Sequence, residues 1–413
     1  MERRMKDKIV YILTIIFSIL FIYFGNQYVS KDLTIFKEGQ QIEYQKVKVV
    51  EILNRMETDV GVETEEPLME VEIEFNAKVL TGKKKGKIIK AVQTQNPLVC
   101  VEIKEVEVGD TVLIMKNHSS DLGEFEEWSM AEYVRTDHLI VLGLIFVIAL
   151  LVFGKWKGLH TVLSLGFTCL VVFLVFIPAV LAGKNIYLYS IIVCIYIAIM
   201  TLLIVNGTNR KSLAAALGCI GGTTVAGIIT VIMDKTMQLT GFLDENSTYL
   251  LYINKEHPID LKAIIFGGIL IGSIGAVMDV SVDIAASLHE ISRKIKNISR
   301  KALMHSGFTI GRDILGTMAN TLVLAYVGSS LSTVLLLVAY NGTSLIYLLN
   351  MERLVVEMLQ ALAGSIGILC TIPLTSMICG LLFGKKGEHK DRKEKKEEYK
   401  KALEMLAFEN NKE

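Results

Sequence analysis

Eight stretches of this chain are apolar over lengths comparable to a bilayer, and that constrains its fold more than any other feature. They are Ile9–Phe24, Leu139–Phe153, Thr161–Ala182, Ile186–Val205, Leu213–Met233, Leu261 to beyond Met278, Leu315–Tyr340 and Leu359–Phe383. A hydrocarbon core of ~30 Å needs ~20 residues of helix to span it. With 52% apolar residues and a mean hydropathy of +0.46, so much hydrocarbon surface is incompatible with a soluble fold. The expected fold class is therefore an α-helical polytopic membrane protein of about eight transmembrane helices. The first stretch has a basic start but ends in Tyr23-Phe24-Gly25-Asn26, without a small-x-small cleavage signal, and reads as an uncleaved anchor.

Basic residues set the expected direction. Arg3, Arg4, Lys6 and Lys8 precede the first span. Lys155 and Lys157, Arg210 and Lys211, and the segment around Arg293–Arg312 follow the alternate crossings. The tail from Lys385 is dense in lysine, whereas Asp234–Asp260 is mainly acidic. The expected location is thus a bacterial cytoplasmic membrane, crossed several times, with both termini cytoplasmic.

Four domains follow. Residues 1–30 form a cytoplasmic stub and anchor, and residues 31–137 an extracytoplasmic β-rich domain. Residues 138–384 form a seven-helix transmembrane domain, and residues 385–413 a charged tail. In the second of these, apolar residues alternate around Val47–Ile52, Met69–Phe75, Ile88–Val92, Val101–Val108 and Val112–Ile114. Turn signals at Thr81–Gly86 and Gly109–Asp110 separate them, which predicts a small antiparallel, OB-like barrel between the first two helices. The five lysines within Lys83–Lys90 read as a solvated surface.

Charge balances at 43 basic and 43 acidic residues, and nothing points to nucleic acid as a partner. Five of the six cysteines lie in apolar runs, so neither a disulfide framework nor a zinc site is expected. No HExxH helix occurs, and Gly275 with Asp279 has the wrong spacing for a GxGD aspartyl site. The chain is read as no enzyme, with no cofactor and no metal.

An ionisable group inside a span is costly and defaults to a functional role. The sixth stretch runs Gly267-Gly268-Ile-Leu-Ile-Gly272-Ser273-Ile-Gly275-Ala-Val-Met-Asp279-Val-Ser-Val-Asp283-Ile-Ala-Ala-Ser287-Leu-His289-Glu290. Asp279, Asp283, Ser287 and Glu290 share one helical face, with His289 beside it. Asp279 is either near mid-membrane or at the cytoplasmic helix end, depending on where the span stops between Met278 and Ile291. Arg312 and Asp313 then stand at a membrane entrance, where Arg312 is placed to neutralise an aspartate of the preceding helix. Thr317, Asn320 and Thr321 line one side of the next span as interhelical hydrogen-bonding groups. Gly307 and Gly311 allow a broken helix, and Pro373 a kink. The small residues from Ala214 to Gly227 predict close helix packing, and Glu352, Arg353 and Glu357 an interfacial helix.

Three blocks carry a resemblance: Gly275 to Glu290; Gly311-Arg312-Asp313 through Gly316-Thr317 and Asn320-Thr321 to Tyr326 and Gly328; and Ile372-Pro373-Leu374-Thr375. Over roughly Arg135 to Gly384 the chain resembles the YibE/F-like family of bacterial multi-pass membrane proteins. The resemblance implies this architecture, including the outside domain, and a transport role.

The expected function is a membrane transporter or channel for an ion or small solute. Its candidate site residues are Asp279, Asp283, Ser287, Glu290, Arg312, Asp313, Asn320 and Thr321. The alternative is a non-transporting scaffold or envelope-assembly protein that presents its barrel to a partner. The expected partners are the lipid bilayer, an unidentified ion or small solute, and an envelope protein or further copies of the chain.

Overall fold

The computed structural model describes residues 2–31, 43–61, 68–96, 104–116, 128–243, 245–253, 258–295, 297–332, 335, 339 and 345–385. The chain divides into two compact units, Phe36–Val152 on one hand and Met1–Ile35 with Phe153–Glu413 on the other. The expected residues Cys100 to Ile103, the tail beyond Lys385 and part of Leu315–Tyr340 lie outside the described residues.

The first unit holds a closed barrel of β1 (Tyr44–Asp59), β2 (Met69–Val79), β3 (Ile88–Gln95), β4 (Thr111–Lys116) and β5 (Trp128–Tyr133), ordered β1-β2-β3-β5-β4. Strict alternation builds it: Ile73, Phe75, Ala77 and Val79 point inward while Glu72, Glu74, Asn76 and Lys78 point away. The 16-residue β1 pairs with both β2 and β4, and register shifts at Val49/Glu51 and Ile52/Asn54 let it curl between them. Glycines with positive φ turn the chain at Gly82, Gly86 and Gly109.

Two expectations differ here. Val106 is buried in the barrel core but lies in no strand; buried Gln93 holds its segment, accepting from the Val106 amide (2.8 Å) and donating to the Lys104 carbonyl (3.0 Å). Closure comes instead from β5, antiparallel to β4 and parallel to β3 at Val92↔Ser129. The sequence Trp128-Ser-Met-Ala-Glu-Tyr133 has no β-branched residue and a single buried anchor, Trp128, so its strand character comes from its neighbours.

The other unit is helical. It contains α1 (Glu2–Ser30), the later part of α2 (Thr136–Val171), a π-turn (Val172–Phe176), α3 (Ile177–Leu181), α4 (Ile186–Asn206) and α5 (Arg210–Met237). It continues with α6 (Glu245–Ile253), α7 (Leu261–Lys294), α8 (Arg300–Ser329), α9 (Leu345–Leu349) and α10 (Glu352–Phe383). Six helical segments among the described residues are long and apolar enough to cross a membrane.

One of these, Thr136–Leu181, has 46 residues, about 69 Å of helix and twice the hydrocarbon thickness. Its break is the single residue Lys155, at φ 48° and ψ −126°. The expected loop Gly154–His160 is therefore one non-helical residue within otherwise continuous helix. Farther on, Pro178 has no amide to give the Leu174 carbonyl four residues earlier. The side chain of Asn26 on α1 takes over, donating to that carbonyl at 2.7 Å.

Helix α7 is the centre of the bundle, packed by α4, α5, α8 and α10. Helices α5 and α10 meet along a seam where glycine faces hydroxyl: Gly218 lies against Thr375, and Gly222 against Thr371 and the Gly367 carbonyl. Two of the buried hydroxyls stay paired along their own helix, Thr371 donating to the Gly367 carbonyl (2.8 Å) and Ser376 to the Ile372 carbonyl (2.7 Å), while Thr375 Oγ1 has no hydrogen-bond partner among the described residues. Glu352, Arg353 and Glu357 do not form a separate interfacial helix. They are the opening turns of α10, which runs unbroken through Pro373.

Candidate functional site

The site is built on α7, a helix of 34 residues and about 51 Å, capped by the Asp260 side chain and ended by Arg293 and Lys294. One side carries the buried set Leu270, Ser273, Ile274, Val277, Ser281, Ile284 and Leu288. The opposite side is open along its length: Gly268, Gly272, Gly275, Asp279, Asp283 and Glu290 are all exposed. Steps of three, four or seven residues keep them in one narrow stripe of the 3.6-residue helix. Ser287 is half-buried at its edge, as is His289, whose ring centroid stands 5.1 Å from that of Phe383.

Neighbouring contacts set the level of the acids. Val277 touches the position a Cβ would take on Gly222, at 3.0 Å, and Leu270 and Phe266 touch that of Gly227. Helices α5 and α7 are therefore antiparallel, with Val277 opposite Gly222. Counting from Arg210, Gly222 lies about 18 Å along α5, and Asp279 about 3 Å nearer the Arg210 end. Asp279 is thus about 15 Å from the basic start of α5. The packed part of α7 continues past it to Leu288, so Asp279 is well inside the bundle's length and not at a helix end.

Helix α8 runs alongside. Leu288 lies beside Gly307, and Gly272 beside the Tyr326 hydroxyl, so α7 and α8 are also antiparallel. That register puts Asp283 level with Arg312, and Asp279 level with Gly316 and Thr317. Arg312, Asp313, Gly316, Thr317, Asn320 and Thr321 are all exposed. The register thus puts Asp283 and Arg312 at one level along the two helices, each of them exposed.

Several expectations are corrected. Arg312 and Asp313 stand within α8, about 18 Å from its start at Arg300. Gly307 and Gly311 do not break the helix. They are flat spots on which Ser376 and Ile372 of α10 seat. Among the described residues no ion pair joins Arg312 to Asp279 or Asp283. Nor do Thr317 and Thr321 bond across helices; they donate to the Ile314 and Thr317 carbonyls of their own helix, both at 2.8 Å.

A second feature escaped the sequence reading. Helices α4, α5 and α7 border an open groove of about 380 Å³ lined by Ile191, Cys194, Thr223, Ile228, Phe266 and Leu270, among others, with no charged side chain. Its apolar lining suits a hydrocarbon chain and not an ion. The hint in the sequence is Gly227, whose missing side chain opens the space beside Phe266.

The arrangement of α7 offers two carboxylates one turn apart beside small residues that let a second group approach. Such a pair binds a cation or exchanges a proton. Among the described residues no group of three or more His, Cys, Asp or Glu stands close enough to cage a metal ion.

The family model described as YibE/F-like protein matches residues 142–385, more than half of the chain. No curated protein and no solved structure matches.

Proposed function

The chain belongs to the YibE/F-like family, and from that premise we propose that it is a multi-pass transporter or channel for an ion or small solute. The observation that carries this reading is the pair Asp279 and Asp283, adjacent on the uncovered face of α7 at about half the length of its packed neighbours. Carboxylates that deep are costly unless they line a polar path or meet a partner. Small residues above them, Gly268 and Gly275, leave backbone and space along the same face.

The proposed topology has eight crossings of a bacterial cytoplasmic membrane, with both termini cytoplasmic and the barrel outside. It is supported by the lysine and arginine bias of the connecting segments and by the two span lengths contained in Thr136–Leu181. The barrel has its own apolar core around Phe75 and Ile114, which favours a second role in contacting an envelope partner.

The test is flux in vesicles reconstituted with purified full-length protein. Asp279→Asn is expected to abolish ion-dependent flux while membrane insertion stays normal. Wild-type flux in that variant rejects the site. A chain that shows no flux at all, yet needs its barrel intact for function in cells, is a scaffold.

A further inference from the structure

We infer that the furrow between α4 and α5 holds one anionic phospholipid, with an acyl chain along the furrow and the phosphate at Arg210 and Lys211. The inference stands whether or not the chain transports anything.

Two open hollows lie end to end on these helices. One is the apolar groove of about 380 Å³ that reaches Phe266 of α7. The other, of about 410 Å³, lies between α4 and the start of α5. Ile220 lines both, so they meet there. Leu213 and Leu217 stand exposed along the second hollow, whereas Ala216 is buried and offers only a methyl group to its lining. From Arg210 to Ile220 is about 15 Å of helix. That length is one leaflet's share of a ~30 Å hydrocarbon core.

Polarity is graded along the second hollow. Its polar lining residues, Thr208, Asn209, Arg210 and Ser212, all stand at the start of α5. Beyond them the lining is only isoleucine, leucine and alanine. Arg210 is its one charged side chain, exposed at the mouth, with Lys211 next along the helix. Among the described residues no carboxylate forms an ion pair with either cation.

That order, cations at the mouth and hydrocarbon beyond, complements an amphiphile with an anionic head and a long tail. Free phosphate would fill the mouth and leave the trough empty. A helix of a second copy or of another protein would have to bring an acid to the level of Arg210. A phospholipid joins the two parts covalently, and a guanidinium takes phosphate oxygens in pairs. With two adjacent cations and no acid in the lining, the mouth favours a net negative headgroup over a zwitterionic one.

The experiment uses full-length protein in mild detergent, incubated with phosphatidylglycerol or with phosphatidylcholine of the same acyl chains. Native mass spectrometry is expected to show one phosphatidylglycerol retained, about five-fold over phosphatidylcholine. A phosphatidylglycerol with a photoreactive acyl chain is expected to label Leu213–Ile220 or the facing residues Ile199–Leu203. The double variant Arg210→Gln, Lys211→Gln is expected to lose the preference, and Arg210→Lys to keep it. Retention in Arg210→Lys excludes misfolding as the cause of the loss. Lys157→Gln removes an exposed cation elsewhere in the same unit and is expected to bind as wild type. Equal retention of the two lipids, full retention by the double variant, or labelling away from α4 and α5 overturns the inference. So does displacement of the lipid by millimolar inorganic phosphate, or a two-chain mass that carries no lipid.

Discussion

The side-chain amide of Asn26 donates to the main-chain carbonyl of Leu174, joining residues 148 positions apart. The carbonyl is free because Pro178 cannot return a hydrogen bond to it, and the π-turn at Val172–Phe176 opens the helix at the same place. In hydrocarbon, with no water to substitute, a neighbouring helix must supply the donor.

Replacing that donor should therefore loosen α1 from the bundle. Asn26→Leu is expected to cost about 1 kcal/mol, within the range of interhelical hydrogen bonds in membranes. Pro178→Ala restores an amide for Leu174, so the double variant should recover most of the loss. Unfolding of full-length protein in mixed micelles measures the cycle, and additive losses would show that the two sites are not coupled.

The α5–α10 seam makes a steeper prediction. Gly222→Val drives two methyls into Thr371 and the Gly367 carbonyl, and overpacking of this kind costs roughly 3 kcal/mol. The protein should insert but lose its monodisperse peak after mild heating. Gly166→Ala meets open space and should behave as wild type.

At the start of α10, Glu352 accepts hydrogen bonds from the Thr240 amide, the Thr240 hydroxyl and the Gly241 amide, each at 2.6 Å. It pins the turn after α5 to the last helix. Glu352→Ala removes charge-assisted bonds and should cost about 2 kcal/mol. The Thr240 and Gly241 amides should then exchange hydrogen markedly faster, with amides of the α7 middle unchanged.

On the barrel, Arg55 donates from Nε and a terminal nitrogen to both oxygens of Glu105, at 2.9 and 2.8 Å. These hydrogen bonds hold the Glu105 carboxyl below its ordinary value and, with Glu57, push Arg55 up. A depressed carboxyl stabilises the fold above the unfolded value, about 4.3, and that contribution disappears as pH falls through the lower folded value. Exchange around Arg55 in the full-length protein should accelerate on acidification. The Arg55→Gln variant should show a flatter pH response, and both groups are exposed, so the effect is small.

The break at Lys155 invites a backbone test. Its φ of 48° is a left-handed value that an L side chain adopts at a cost. Lys155→Gly should stabilise or leave stability unchanged, and Lys155→Val should lose about 1 kcal/mol. Equal stability of the two variants would show that the break is not held as described.

Hydropathy and alternation alone determined the class of this protein: long apolar helices, a small barrel inserted after the first of them, and two aspartates on one face of a central helix. Those features depend on local periodicity, which the chain carries residue by residue. The family blocks around Asp279 and Arg312 were legible for the same reason. Tertiary structure decided what periodicity cannot encode. Trp128–Tyr133 became a strand because β3 and β4 offered it edges. Gly307 and Gly311 became packing surfaces because Ser376 and Ile372 filled them, not hinges. The polar threonines of α8 satisfied themselves within their helix. Above all, only the packing of α4, α5, α8 and α10 around α7 showed which of its faces is left bare, since burial depends on partners distant in sequence. Asp279 and Asp283 are on that face.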